Sequence, residues 1–204
     1  MNQKIFKESN GDISTFTYIP NFLSWSECFI YQIWIYVCII FHPVFTYGSS
    51  IIRYQIWYHK NLEYFNKKWP FYERWEAHKY PLFLHFIENR VKKRVFEITN
   101  TALEINSCLI NKYSQKTHRL HYHRDCEDVF GKCPIIISVS LGSRAHMHVK
   151  RNASLQNDDE FIWILEPGSM LIMSGYSQVY FTHAVKMTND DSRYSMVFRK
   201  HIYL

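Results

Sequence analysis

The chain is poor in the residues that build cross-linked or fibrous proteins, with six glycines, six prolines and five cysteines in 204 residues. Five is an odd number, and Cys28, Cys38, Cys108, Cys126 and Cys133 form neither a CxxC pair nor a spaced repeat. That excludes a disulfide framework or a cysteine-based zinc site as the organising feature, and a reducing compartment fits best. Long apolar runs are also missing. The stretch Phe29 to Phe41 is interrupted by Gln32 and preceded by Glu27, whereas a membrane span needs about 20 largely apolar residues. A buried helix is expected there, and no membrane partner. The opening MNQKIFKESNGD lacks the apolar centre of a signal peptide, so an intracellular setting, nucleus or cytoplasm, is expected. Acidic residues are outnumbered, 18 against 24 Lys and Arg, for a net charge of +6. This favours an anionic partner such as nucleic acid, DNA or RNA.

A hydrophobic share of 47% is enough for a packed core, and the length suits one domain spanning 1–204. Its oligomeric state is not written in the sequence, and a monomer is the default expectation. From residue 21 to about residue 95 the pattern reads as helical or irregular and aromatic, broken by Pro43, Pro70 and Pro81. Within it, Pro81 to Val95 predicts a helix with an apolar stripe of Leu82, Phe83, Phe86, Ile87 and Val91 and a solvated basic tip at Lys92, Lys93 and Arg94. From about Ile105 onward, short apolar runs alternate with turn signals such as LGSR, EPGS and NDDSR. Eight strands are expected: SCLINKYS, RLHYH, PIIISVSLG, HMHVKR, FIWILEPG, SMLIMSG, QVYFTHAV and RYSMVFRKHIYL. The fold class is therefore α+β with a mainly β core, a double-sheet barrel in 105–204 under an N-terminal helical and aromatic layer in 1–104.

The segment HRLHYHRD carries the chemistry. In an extended segment His121, His123 and Asp125 share one face. One imidazole and one carboxylate from here, joined by a second imidazole from a distant strand, make the 2-His-1-carboxylate triad of non-haem Fe(II) oxygenases. His183 in VYFTHAVK is the distant candidate, and His121 and His123 are equally placed for the near one. Ten residues beyond His183, strand RYSMVFR puts Arg193, Ser195, Val197 and Arg199 on one face. Two guanidiniums on one buried face call for an anion, and a dicarboxylate suits a guanidinium fork. By contrast, His146 and His148 alternate on a strand without an acidic or cysteine partner and read as surface residues.

Taken in order, NSCLINKYS, HYHRDCED, PIIISVSLGSR, LEPGSMLIMSG, FTHAV and RYSMVFRK resemble the AlkB family of oxidative dealkylases. The resemblance implies a double-stranded β-helix (jelly roll) that uses Fe(II) with 2-oxoglutarate and O2 as co-substrates. It selects His123, Asp125 and His183 as metal ligands and catalytic centre, and Asn111, Tyr113, Arg193, Ser195 and Arg199 as the 2-oxoglutarate residues. The family usually carries Asn and Thr where Ser195 and Val197 stand; Ser195 keeps one hydrogen bond and Val197 none. The implied reaction is demethylation of N-alkylated nucleobases such as 1-methyladenine and 3-methylcytosine, releasing formaldehyde, succinate and CO2. The same chemistry on a protein or regulatory RNA mark, or a non-catalytic jelly-roll module, are the competing readings.

Upstream, HPVFTYGSSIIRYQIWY resembles the family's nucleotide-recognition segment. Aromatics from Tyr47 onward, namely Tyr54, Trp57 and Tyr58, are thus expected near the base, with Trp57 or Tyr58 stacking on it. Glu127 is expected to accept a hydrogen bond from an exocyclic amino group. Arg53, Lys60, Lys67, Lys68, Arg124, Lys150 and Arg151 are candidates for phosphate contacts.

Overall fold

The computed structural model describes residues 1–45, 51–68, 72–152 and 160–202. Tyr47 lies outside the described residues. Twelve strands, β1 (Asn2–Lys7), β2 (Ile13–Ile19), β3 (His42–Phe45), β4 (Ile51–His59), β5 (Ser107–Tyr113), β6 (Arg119–His123), β7 (Ile136–Gly142), β8 (Ala145–Arg151), β9 (Glu160–Leu165), β10 (Met170–Gly175), β11 (Phe181–Met187) and β12 (Arg193–Arg199), form two sheets. The major sheet runs β1-β2-β10-β7-β12-β5-β4-β3 and the minor sheet β6-β11-β8-β9. All pairings between these strands are antiparallel. The eight expected strands of the C-terminal part are all present.

The N-terminal part departs from expectation. It contributes β1 to β4, and β4 pairs residue by residue with β5, from Tyr54 opposite Lys112 to His59 opposite Ser107. The run IIRYQIWYH is rich in β-branched and aromatic residues, which suit a pleated surface covered on both faces. The helices are α1 (Trp25–Cys38) and α2 (Leu82–Thr99), with single turns α3 (Glu127–Phe130) and α4 (Ser177–Tyr180). A capping box starts α1: Glu27 N–H donates to Ser24 Oγ, and Ser24 N–H donates to Glu27 Oε2.

Both helices pack on the major sheet's outer face. There Ile35, Trp34, Leu84, Ile87 and Val91 meet Ile56, Ile110, Val139, Tyr194, Met196 and Phe198. A second core, with Tyr113, Ile136, Leu171, Met173 and Val197, fills the space between the two sheets against Met147, Val149, Phe181 and Val185. Strand alternation thus splits β12 as expected: odd positions face the inter-sheet space and even positions face the helices.

Both helices also correct the sequence reading. α1 is buried on one face only. α2 continues to Thr99, so Lys92, Lys93 and Arg94 lie within it, where Lys92 pairs with Glu88 and Arg94 with Glu97. Its buried stripe is Leu84, Ile87, Glu88, Val91 and Val95, leaving Leu82 and Phe86 exposed. The turn after β7 needs its glycine. Gly142 has φ +77°, and a Cβ there would lie 2.3 Å from the Ser192 carbonyl oxygen, which no side chain tolerates. That close approach seats Arg193 at the start of β12.

Candidate metal centre

Between the sheets lies a cavity of about 270 Å³. His123 and His183 meet at its mouth because β6 and β11 pair with these two residues directly opposite each other. Asp125 follows two residues after β6, where its backbone N–H donates to Gln178 Oε1 at 2.9 Å. One ligand atom from each of the three lies within 4.8 Å of the others, and the His123 and His183 ring centres are 4.3 Å apart. Among the described residues this is the one such group. His121 is exposed and hydrogen-bonded to Arg119 Nε instead, so the structure separates the two candidates that the sequence left equal.

The electrostatics suit a divalent cation. Arg199 Nε lies 2.7 Å from Asp125 Oδ2, yet neither atom is in hydrogen-bond geometry with any partner, so the contact is an ion pair. Burial raises the Asp125 pKa, but Arg199 and the two histidines outweigh it and hold the carboxyl well below its usual range. It is therefore charged, as a metal ligand must be. Burial and the neighbouring His123 push His183 down to about 3, leaving the neutral imidazole that coordinates. His123 Nδ1 is 2.9 Å from the His121 carbonyl oxygen and 3.1 Å from that of His183. This contact makes Nδ1 the protonated nitrogen and leaves Nε2, 3.6 Å from Asp125 Oδ1, as the donor to a metal. Two imidazoles and one carboxylate, with Asp125 Oδ2 buried and not hydrogen-bonded, fit Fe(II).

Deeper in the same cavity, Asn111, Tyr113, Arg193, Ser195, Val197 and Arg199 line the walls. They come together because Arg193 is opposite Tyr113 and Ser195 opposite Asn111 in the β12–β5 ladder. The guanidinium of Arg193 is 1% exposed. Its Nη2 donates to Ser140 Oγ at 3.0 Å and it lies over the Tyr113 ring, while Nε and Nη1 have no hydrogen-bond partner among the described residues. A buried cation so placed lacks an anion. The structure thus brings together all three expected metal ligands and all five expected 2-oxoglutarate residues.

The expected substrate residues are placed differently. Alternation along β4 puts Arg53, Gln55 and Trp57 on one face and Tyr54, Ile56 and Tyr58 on the other. Tyr58 belongs to the helix-side core, and Tyr54 rests near His118, 5.8 Å between ring centres. Trp57 is buried beneath Phe65, with its indole N–H donating to the Glu63 carbonyl. Glu127 sits on the outer side of the iron segment, away from this cavity's lining. The aromatic residues that do line it are Phe65, Trp75, Tyr113 and Phe130.

Several assigned cations are also redirected. Arg53 is buried in the cavity wall and donates through Nε to Asn111 Oδ1 at 2.9 Å. Lys60 pairs with Glu88, Lys67 with Glu63 and Arg151 with Glu8. Lys68, Arg124 and Lys150 remain on the surface. A cation within the largely apolar and aromatic run of β4 was the sequence signal for an inward Arg53, and Ser140, Gln178 and Trp75 had none.

The family model for the 2OG-Fe(II) oxygenase superfamily matches residues 49–200. The human protein "Alpha-ketoglutarate-dependent dioxygenase alkB homolog 3" is 28% identical over 123 residues, covering 56% of this chain and 42% of that protein. "DNA oxidative demethylase ALKBH2" of Arabidopsis thaliana is 26% identical over 116 residues, 46% of this chain and 37% of that protein. The chain therefore spans less than half the length of these curated relatives. The solved structure of OsALKBH1 superposes with a TM-score of 0.64 over 91% of this chain and 97% of that one, at 17% identity, a likeness of fold. The same residues that frame the cavity fall inside the matched region, and the chain belongs to the 2OG-Fe(II) oxygenase superfamily, on its AlkB-like branch.

Proposed function

We propose that the chain, read as one catalytic domain over 1–204, is an Fe(II)- and 2-oxoglutarate-dependent dioxygenase that removes alkyl groups from nucleobase nitrogens in DNA or RNA. The observation that carries this reading is Arg193, a fully buried guanidinium with two unpartnered nitrogens in the same cavity as the His–Asp–His group. Leaving such a charge unpaired costs several kcal/mol by order of magnitude, whereas a dicarboxylate would neutralise it through a forked contact.

His123 Nε2, Asp125 and His183 would hold Fe(II), which when bound couples O2 and the oxidative decarboxylation of 2-oxoglutarate to hydroxylation of an N-alkyl carbon. The protein's own residues do the rest. Arg199 keeps Asp125 ionised, the carbonyls facing His123 Nδ1 fix the imidazole, and Arg193 anchors the distal carboxylate. Asn111, held by Arg53 and within 3.4 Å of Ser195 Oγ, presents a polar wall to the co-substrate. Val197 adds only apolar surface. Hydroxylation of a methyl carbon on the base nitrogen yields a hemiaminal that loses formaldehyde and leaves the unmodified base.

A base must leave its stack to reach such a cavity. The ring of His123 and the half-buried Trp75 are the aromatic surfaces available to hold it, and Arg124 at the mouth is placed for a phosphate. The relative named for DNA demethylation and the net charge of +6 support a nucleic-acid substrate. The test is incubation with Fe(II), 2-oxoglutarate and oligonucleotides carrying 1-methyladenine or 3-methylcytosine, following succinate and oligonucleotide mass. Succinate formation with loss of the methyl group is expected. Absence of any 2-oxoglutarate turnover would sink the enzyme reading, and turnover without demethylation would favour a protein or other substrate.

A further inference from the structure

The outward face of α1 is built from Trp25, Phe29, Ile30, Ile33, Tyr36 and Val37, and every one of them is exposed. Trp25 is 82%, Tyr36 78% and Val37 71% accessible, and Trp25 stacks on Phe29 in solvent at 5.8 Å. In a helix of 3.6 residues per turn these positions form one continuous stripe, which carries no Lys, Arg, Asp or Glu apart from Glu27 at its upper edge. Together they expose on the order of 800 Å² of mostly apolar surface, where the largest such patch on a monomer is about 300–600 Å². Leu82 and Phe86 of α2 are exposed as well, and α2 lies alongside, with Phe83 stacked on Trp34.

We propose that this face is the interface between two copies of the chain, packed α1 against α1 about a two-fold axis. Two features select a second copy over other occupants. The exposed area matches the roughly 800 Å² per partner of a standard stable interface. The charge pattern also fits: an isologous contact sets each residue's neighbourhood against itself, which an uncharged stripe accepts and a charged one does not. A membrane surface fits less well, because anionic lipid is met by free cations flanking an apolar helix. Here three of the four cations on the neighbouring α2 are engaged, Arg90 with Glu27, Lys92 with Glu88 and Arg94 with Glu97. The helices cover the major sheet on the side away from the minor sheet and the cavity. Pairing through α1 therefore leaves both cavities open and facing outward, and the dimer so proposed differs from the monomer expected from the sequence.

The proposal is tested by sedimentation equilibrium of the 204-residue chain from sub-micromolar to about 100 µM. A mass of twice 24.7 kDa is expected at the upper end, and a monomer throughout would overturn it. Ile33→Glu and, separately, Tyr36→Lys should each raise the dissociation constant by 100-fold or more while leaving 2-oxoglutarate turnover and the far-ultraviolet spectrum unchanged. Ile162→Glu, on the minor sheet, should leave the dimer intact. A dimer that withstands both α1 variants uses another face and overturns the assignment. So does a monomer that co-sediments with phosphatidylserine vesicles through α1, which would make the face a lipid contact.

Discussion

At the scale of single residues, the most exacting position is Arg193. Its two unpartnered nitrogens and its burial leave it dependent on an anion that the protein does not itself supply. Arg193→Met removes the charge while keeping most of the volume, so the apolar variant should fold with undiminished stability. Its KM for 2-oxoglutarate should rise about 100-fold or more, as expected when one partner of a buried charge pair is truncated. Iron binding, read by a spectroscopic titration with Co(II) or Fe(II), should stay within a few-fold of wild type. An unchanged KM would remove Arg193 from the co-substrate site. Much of this site was legible in the sequence, because ladder alternation is a fixed period of two: once RYSMVFR is a strand, Arg193 and Arg199 must share a face. The same rule explains what was missed. Alternation says that Trp57 and Tyr58 point oppositely, but it does not say which direction is inward, and it does not foresee Phe65 covering the Trp57 ring.

Elements add constraints that no single residue shows. Helix α2 is tied to the end of β4 by Glu88, which is 1% exposed and accepts from Lys60 Nζ at 2.6 Å while pairing with Lys92 Nζ at 2.5 Å. Lys60 also donates to the Ile105 carbonyl, just before β5. Burial raises the Glu88 pKa, but the two lysines outweigh it and keep the carboxyl below its usual value. Glu88→Gln leaves two ammonium groups facing one another across a neutral amide. Fully buried pairs lose about 3–5 kcal/mol when one member goes, and the partial access of both lysines to water brings the expectation to about 2 kcal/mol. Thermal denaturation should show a drop of roughly 4–8 °C; a shift below about 1 °C would show that the tie contributes nothing. This tie was invisible beforehand, since Glu88 lies on the apolar side of α2 and only the tertiary packing brings Lys60 to it. The C-terminal strands, by contrast, were readable one by one, because each short apolar run is closed by its own turn signal. N-terminal β4 was obscured by an aromatic content that suits core, lid and strand alike.

For the whole molecule, the histidines packed where β4 meets the end of β12 set a limit on the acid side. His59 is fully buried, and its Nδ1 accepts from the backbone N–H groups of Asn61 and Glu63. Protonation would turn that acceptor into a donor facing two donors. Burial first, then the neighbouring His201, depresses its pKa from 6.5 to about 4, and burial lowers His201 as well. The unfolded chain therefore takes up a proton near pH 6.5 that the folded chain refuses until pH 4. Stability contributed by the neutral form is complete above pH 6.5 and is lost as pH falls through that window, by on the order of 3 kcal/mol for His59 alone. The carboxylates Asp125 and Glu88, held below their usual values, add their own losses only further down, so the interval from pH 6.5 to 5 isolates the histidines. Urea unfolding at pH 7.5, 6.5, 5.5 and 5.0 should show a flat stability above pH 6.5 and a steady decline below it. His59→Asn retains a side-chain oxygen to accept from the two backbone groups but cannot be protonated. It should start less stable at neutral pH and decline with a visibly shallower slope, His201, His183 and the other imidazoles that burial depresses supplying what remains. A wild-type profile that stays flat from pH 7.5 to 5.0 would mean that the pocket admits the charged imidazole, with water or a rearranged turn at residues 60–63 relieving the clash.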